Sequence, residues 1–215
     1  MHQTTDLKVL YFGTPVVLIS SRNPDGTTNL APMSSAWWLG QECVLGLGNS
    51  SQTATNLRRE GECVLNLVPS TLVAAIDRLA LTTGRAEVPA HKATMGYRHV
   101  ADKFQAAGLT PQQSQLVRPQ RVQECPIQLE CTVTAAHPLS DLSATAFHAK
   151  VLRAYVHEQV GIPGTAYVDP VAWNPLIMKF CEFFGGGENL AESRLAGAWQ
   201  MPHSASLDHR VSHAV

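Results

Sequence analysis

Asn49-Ser50-Ser51-Gln52-Thr53-Ala54-Thr55-Asn56-Leu57 joins an apolar strand pattern, Glu42 to Gly48, to a helical pattern, Gln52 to Glu60, that stops at Gly61. A helix opening here leaves backbone N–H groups without intrahelical acceptors and a partial positive charge, a combination that suits a phosphate. Ser50, Ser51 and Thr53 add hydroxyls, Gln52 adds an amide, and Arg58 and Arg59 bring charge close in sequence. Ordinary N-capping by Ser51 accounts for the same residues without any ligand.

Toward the N-terminus, Pro15 to Ser21 is a β-branched apolar run, Asn23-Pro24-Asp25-Gly26 supplies turn residues, and Thr27 to Met33 returns, so a hairpin is expected. It leads into Ala31-Pro32-Met33-Ser34-Ser35-Ala36-Trp37-Trp38-Leu39-Gly40. Ser34 and Ser35 fall where the strand ends, and their backbone and hydroxyl groups can meet the polar edge of a flat ring. A strand end satisfied by its own serines is the alternative. Trp37 and Trp38 read as core or interface anchors.

Toward the C-terminus, Glu62 to Val68 is a fourth strand, interrupted by Asn66. A buried amide there must be bonded, to a neighbouring strand or to a ligand. Ser70 to Leu81 reads as a helix with Ser70 as its N-cap. Thr82 to Pro126 reads as a long excursion over a barrel, with a short helix at His99 to Ala107. It carries Arg85 and Lys103, each either solvated or set to meet a phosphate or a nicotinamide dinucleotide. Strands resume at Ile127 to Ala136 and at Ala144 to Val160, the second irregular enough to hold a bulge. Ile162 to Ala172 is a loop. Pro175 to Phe184, strand or helix, stops at Gly185-Gly186-Gly187. Residues 1–198 thus read as one domain, with residues 199–215 as a polar, disordered tail. The order of elements predicts a β-rich barrel carrying helices. The absence of GxGxxG argues against a Rossmann unit.

Bulk properties narrow the function classes. The chain has 215 residues, 45% hydrophobic and 15% charged, with net charge -1. That is enough for a full core and is consistent with a subunit interface. It gives no support to nucleic acid or an anionic membrane as partner. No apolar run approaches the roughly 20 residues of a spanning helix, and Met1 to Lys8 is polar, so a cytoplasmic location is expected. The five cysteines include no CxxC, and Cys43, Cys63 and Cys131 sit in apolar runs as reduced, buried thiols. Cys125 and Cys131 are spaced to share a strand face. The nine histidines show no metal-ligand pattern, and no GxSxG elbow is present.

Taken in order, the segments resemble the flavin reductase-like family with the FMN-binding split barrel. The likeness is carried by Pro15-Val16-Val17-Leu18-Ile19-Ser20-Ser21-Arg22, Asn29-Leu30-Ala31-Pro32-Met33-Ser34-Ser35, Leu45-Gly46-Leu47-Gly48, Ser50 to Leu57 and Gly61-Glu62-Cys63-Val64-Leu65-Asn66-Leu67. Asp102-Lys103-Phe104, Glu124-Cys125-Pro126-Ile127 and Pro175-Leu176-Ile177-Met178 extend it over most of residues 9–185. The resemblance implies a six-stranded antiparallel split barrel, a homodimer, and one FMN per subunit near the dimer interface. It implies that Ser34 and Ser35, flanked by Met33 and Ala36, line the isoalloxazine. Ser50, Ser51, Gln52, Thr53 and Asn56 would surround the phosphate and ribityl chain, and Asn66 and Lys103 complete the expected cofactor-binding set. Hydride transfer from NADH or NADPH through FMN to a flavin or other acceptor is the implied activity. A non-enzymatic FMN-binding electron carrier or sensor on the same barrel is the alternative. One departure stands out: many reductases of the family carry Gly-Asp-His before the late strand, where this chain reads Leu142-Ser143-Ala144-Thr145-Ala146-Phe147-His148.

Overall fold

Strand β2 (Val17–Arg22) is buried on both faces, and the molecule is organised around it. Val17 and Ile19 point into one apolar cluster and Leu18 into another, all at 0% exposure, as the two-residue period of a strand requires. The computed structural model describes residues 1–139, 143–191, 193–199 and 201–202.

β2 is preceded by β1 (Phe12–Pro15) and turns at residues 23–27 into β3 (Thr28–Met33). The turn closes with Gly26 at φ 88° and with Asp25 Oδ1 accepting from Thr27 N at 3.0 Å. Next come β4 (Ala36–Leu39), β5 (Glu42–Gly48), helix α1 (Gln52–Glu60) and β6 (Glu62–Leu67). The long strands β11 (Ile127–Pro138) and β12 (Ala144–Val156) complete an antiparallel sheet of order β3-β2-β6-β11-β12-β5-β4. Its two edge strands, β3 and β4, are joined by Ser34 and Ser35 alone, a link that spans at most about 11 Å. The sheet must therefore roll until its edges meet at that corner.

This sheet has seven strands where six were expected. The additional one is β4, which pairs with β5 from Ala36↔Leu45 to Leu39↔Glu42 through a tight turn with Gly40 at φ 59°. The inward face of the roll holds Cys43, Leu45, Leu47, Leu57, Cys63, Leu65, Cys131 and Phe147. Each large aliphatic or aromatic side chain buried there contributes roughly 1.5–3 kcal/mol. The pairing of β11 with β12 skips Leu152 and Thr134, so a bulge lies on each strand, one of them in the strand expected to carry it.

The excursion is a second core rather than a cover. A 3₁₀ turn, Ser70–Leu72, leads into α2 (Val73–Leu79), followed by β7 (Thr82–Thr83), α3 (Ala90–Ala93), β8 (Arg98–His99), α4 (Lys103–Ala107), β9 (Pro111–Gln112) and β10 (Arg121–Val122). Leu18, Leu30, Ile76, Leu79, Phe104, Ala107 and Val122 pack together on the face of β2 and β3 opposite the roll. Ser70 is not an N-cap: it lies inside the 3₁₀ turn, and its N–H donates to the Asn174 carbonyl at 2.9 Å. The short helix begins later than expected, at Lys103, because Asp102 caps it by accepting from Gln105 N at 2.9 Å.

Residues 175–184 resolve as strands β13 (Ile177–Lys179) and β14 (Glu182–Phe184), stacked beside β1 in a separate three-stranded sheet. A short helix, α5 (Arg194–Ala198), follows. Most of the expected tail, residues 203–215, lies outside the described residues. Cys125 and Cys131 share no face, since Cys125 belongs to the excursion core and Cys131 to the roll. Cys63 and Cys131 face each other in register, and burial pushes the Cys43 thiol up to about 12, so these are unreactive, reduced thiols. Among the described residues no helix is long and apolar enough to cross a membrane, and no cluster of three metal-ligating side chains occurs.

Candidate functional site

Helix α1 starts as its sequence dictates. Ser51 is the N-cap, extended at φ -80° and ψ 147°, and its Oγ accepts from Ala54 N at 3.0 Å. The amides of Gln52 and Thr53 precede any intrahelical acceptor. At the other end Gly61, at φ 68°, closes the helix by donating to the Leu57 carbonyl.

The excursion brings positive charge to this helix start. Arg85 follows β7, and its Nη2 donates to Thr55 Oγ1 at 2.8 Å while its Nε is buried without an acceptor. Ser50 Oγ lies 3.4 Å from His91 Nε2. Lys103 is 3% exposed, and its Nζ donates to the Leu30 carbonyl of β3 at 2.7 Å. Burial, with a smaller contribution from Lys92, holds the Lys103 ammonium down at about 8. Burial and Arg85 in turn hold Lys92 below the ordinary lysine range. Among the described residues none of these three cations has an ion pair; the carboxylates pair instead with Arg59, Arg118 and Arg121. Buried positive charge of this kind is costly to leave uncompensated.

The walls are tight. Thr53, at 2% exposure, accepts from Asn29 Nδ2 at 3.1 Å, and Asn29 Oδ1 is buried without a partner. A Cβ on Gly84 would stand 2.4 Å from that oxygen and 3.1 Å from Gln52 Cγ, so only glycine lets the backbone pass here.

Other expected site residues fall into two groups. Ser34, buried, and Ser35, half-buried, form the corner between β3 and β4. Ser35 is packed on Gly46 and accepts from Gly46 N at 2.8 Å through its carbonyl. Neither serine hydroxyl is bonded within the chain among the described residues, so both are available. Met33 and Ala36 flank them against the roll's core. This corner lies about 17 Å along β3 from Asn29, so one edge strand links it to the cationic cluster.

Two asparagines are committed internally. Asn56, fully buried, donates to Ser21 Oγ at 3.1 Å and Asn23 Oδ1 at 3.0 Å and accepts from Gln52 Nε2 at 2.8 Å. Asn66 donates to the Leu18 carbonyl and Ser20 Oγ and accepts from Val122 N at 2.9 Å, tying three strands together. Of the two roles open to Asn66, the strand tie is the one realised. Arg58 and Arg59 sit on the last turn of α1, and the Arg58 guanidinium reaches back to the segment just before the Ser51 cap. There Arg58 donates to Asn49 Oδ1 and to Thr145 Oγ1. Lys92, Asn29 and Gly84 were not singled out in sequence, because no spacing rule connects an excursion to a helix start.

A larger cavity, of about 1000 Å³, lies between the 170–177 segment and residues 186–201, and contains none of the expected site residues. The anion-seeking surface at α1, together with free hydroxyls at the β3–β4 corner, is therefore the candidate site. An anionic ligand with a polar planar end fits these donors.

Comparison with known proteins agrees with this geometry. The flavin reductase like domain model matches residues 9–180. The YdfE protein of Bacillus subtilis (strain 168) is 36% identical over 187 residues, covering 86% of this chain and 90% of that protein. The fold is similar to that of flavoredoxin of Desulfovibrio vulgaris (Miyazaki F), with TM-score 0.75 and 20% identity, covering 92% of this chain and 100% of that one. It is also similar to nitrilotriacetate monooxygenase component B from Bacillus cereus, with TM-score 0.69 and 22% identity, covering 84% of this chain and 88% of that one. With the family model spanning the rolled sheet, α1 and the excursion together, this chain belongs to the flavin reductase-like family.

Proposed function

We propose that this chain binds FMN and passes hydride from NADH or NADPH through it to a flavin or other acceptor, as a cytoplasmic homodimer. The observation that carries the proposal is the buried, unpaired Lys103, grouped with Arg85 and Lys92 beside the start of α1. A phosphate dianion supplies the charge this cluster lacks. When bound, FMN supplies the redox chemistry, accepting hydride at N5.

The chain's own residues bind and orient. Amides at the start of α1, with Arg85 and Lys103, hold the phosphate. Ser34 and Ser35 hydroxyls meet the pyrimidine edge, where donors favour the charge that reduction places near N1 and the C2 carbonyl. No side chain is required as acid or base. Around the same corner, Phe12, Trp37 and Leu39 are 64%, 56% and 76% exposed on β1 and the edge strand β4. That apolar surface supports the homodimer.

An electron-carrier role is the second reading. It is favoured by the absence of Gly-Asp-His before β12 and by the similarity of fold to flavoredoxins. Anaerobic mixing of the FMN-loaded protein with NADH or NADPH separates the two. Bleaching of flavin absorbance on a catalytic timescale supports the reductase. Bleaching only after a partner reductase is added selects the carrier, and a chain that takes up no FMN overturns both.

The helix start gives a further prediction. Converting Ser51 and Thr53 together to Ala weakens FMN roughly tenfold more than riboflavin, since only FMN carries the phosphate. Equal losses for the two flavins, measured by fluorescence titration, would contradict phosphate contact at α1.

A further inference from the structure

Between β7 and β8 the excursion throws out a loop, residues 84–97, that reaches to the start of α1. Its ends are clamped. Thr82 pairs with Arg98 and Thr83 with His99, and Arg98 N donates to the Leu81 carbonyl at 3.0 Å. A loop whose ends meet while its body runs over the surface is an Ω-loop, a form often put to functional use. Beyond the clamp it bonds to itself. Lys92 and Ala93 N–H donate to the Pro89 carbonyl at 2.8 and 3.0 Å, Tyr97 N–H donates to the Lys92 carbonyl at 3.0 Å, and the Lys92 ammonium lies over the Tyr97 ring. From residue 86 to residue 97 no backbone hydrogen bond leaves the loop, and no residue from 84 to 99 belongs to either core.

Two side-chain hydrogen bonds tie the loop to α1. Arg85, at its root, reaches Thr55 Oγ1 at 2.8 Å, and His91 Nε2 lies 3.4 Å from Ser50 Oγ, at the long limit for such a bond. Charge of one sign works against these ties. The charge of Arg85 is felt at Lys92 and that of Lys92 at Lys103, in each case second to burial among the causes that hold the ammonium down. Glu87, the one carboxylate in the loop, makes no ion pair among the described residues. At the root, Arg85 Nε and Asn29 Oδ1 are both buried without a partner, Asn29 being 2% exposed. Such atoms suit a polar ligand.

We propose that residues 84–97 form a lid that a phosphate dianion at the start of α1 draws shut. Without the dianion, repulsion among Arg85, Lys92 and Lys103 opposes closure, and a loop that adds nothing to either core opens at little cost. With it, each cation gains a counter-charge, and the closed loop sets Lys92 and His91 on the phosphate. Glycines at the two ends, Gly84 and Gly96 (φ 86°), take up the backbone change. The lid then governs how fast a phosphorylated flavin enters and leaves. Held shut, it makes FMN a resident group; loosely held, it makes FMN an exchanging substrate. That consequence rests on the flavin reading, whereas closure on a phosphate dianion does not.

Hydrogen–deuterium exchange of the full chain reads the loop directly. In flavin-free protein the amides of residues 90–97 are expected to exchange almost unprotected. Inorganic phosphate or FMN slows them by roughly tenfold or more, whereas riboflavin, and chloride at equal ionic strength, leave them as they were. Stopped-flow mixing with FMN shows two phases, one bimolecular and one a closure whose rate is independent of FMN concentration. The double variant His91→Ala with Lys92→Gln is expected to lose the second phase and to release FMN roughly tenfold faster, with riboflavin release unaltered. Unchanged melting shows that the variant is folded, and the exchange measurement on wild type decides the matter without it. Amides 90–97 that exchange alike with and without phosphate and FMN, protection by riboflavin equal to that by FMN, or single-phase FMN binding overturns the lid. FMN uptake with no change in the loop removes the lid and leaves the flavin reading. Protection by inorganic phosphate in a chain that takes up no FMN does the reverse.

Discussion

Lys103→Met is expected to make the ligand-free protein more stable while weakening FMN by about a hundredfold. The two effects have one origin. Lys103 is 3% exposed and bonded to a backbone carbonyl, with no carboxylate partner among the described residues. Methionine has similar length and carries no charge to desolvate, so the folded chain gains about 1–2 kcal/mol net of the lost hydrogen bond. Under the proposed FMN reading, the same substitution removes a cation that would meet the phosphate. Thermal melting and flavin titration check the two directions. Loss of stability together with affinity would mean that Lys103 is an ordinary structural contact.

pH gives the sign independently. Burial holds Lys103 at about 8, against 10.5 for a free lysine. Between those values the unfolded chain carries a proton that the folded chain has released. The unfolded state therefore binds more protons there, and the stability of ligand-free wild type rises with pH across this window relative to Lys103→Met. Below pH 8 the difference between the two proteins is flat. FMN affinity moves the other way, falling above pH 8 as the ammonium is lost in the wild type but not in the variant.

Glu130→Gln is expected to cost about 3–5 kcal/mol, roughly 10 °C or more of melting temperature. Glu130, at 0% exposure on β11, accepts from Gln115 N at 2.8 Å, Leu116 N at 2.7 Å and Tyr155 Oη at 2.9 Å. Arg121 Nε lies 3.8 Å from it, and the guanidinium stacks on the Tyr155 ring at 3.8 Å from its centre. This network fastens the 111–122 segment to the outer face of β11 and β12. Removing the carboxylate leaves a buried guanidinium without its counter-charge and forces the Gln amide group among backbone donors. Denaturant unfolding measures the loss; a change under 1 kcal/mol would show that the backbone contacts alone fix the segment.

Elements with a strong local period were legible in the sequence: the β2–β3 hairpin, β5, α1 with its Ser51 cap and Gly61 stop, β6 and the strands β11 and β12. β4 was not, because Ala36-Trp37-Trp38-Leu39 is too short to show alternation and its edge pairing is decided by the roll of the sheet. The excursion's role as a second core depends on contacts between Leu18 or Leu30 and residues some 70 positions later, which no local pattern records. For the site, Ser34, Ser35, Ser50, Ser51 and Thr53 could be named from strand and helix ends. Lys103 and Arg85 could be named only as candidates open between solvent and phosphate, because what brings them together is the tertiary fold, while Arg58, offered for its closeness in sequence, reaches back to Asn49 beside the helix start. Asn56 and Asn66 look alike in sequence to ligand-facing amides, and only their buried partners reveal them as ties.

The most direct measurement is the pair of binding isotherms for FMN and riboflavin on the wild-type protein at pH 7, where Lys103 is charged. A phosphate gripped by the start of α1, Arg85 and Lys103 predicts that FMN binds more tightly by about a hundredfold or more. Equal affinities, or no uptake of either flavin, would contradict it.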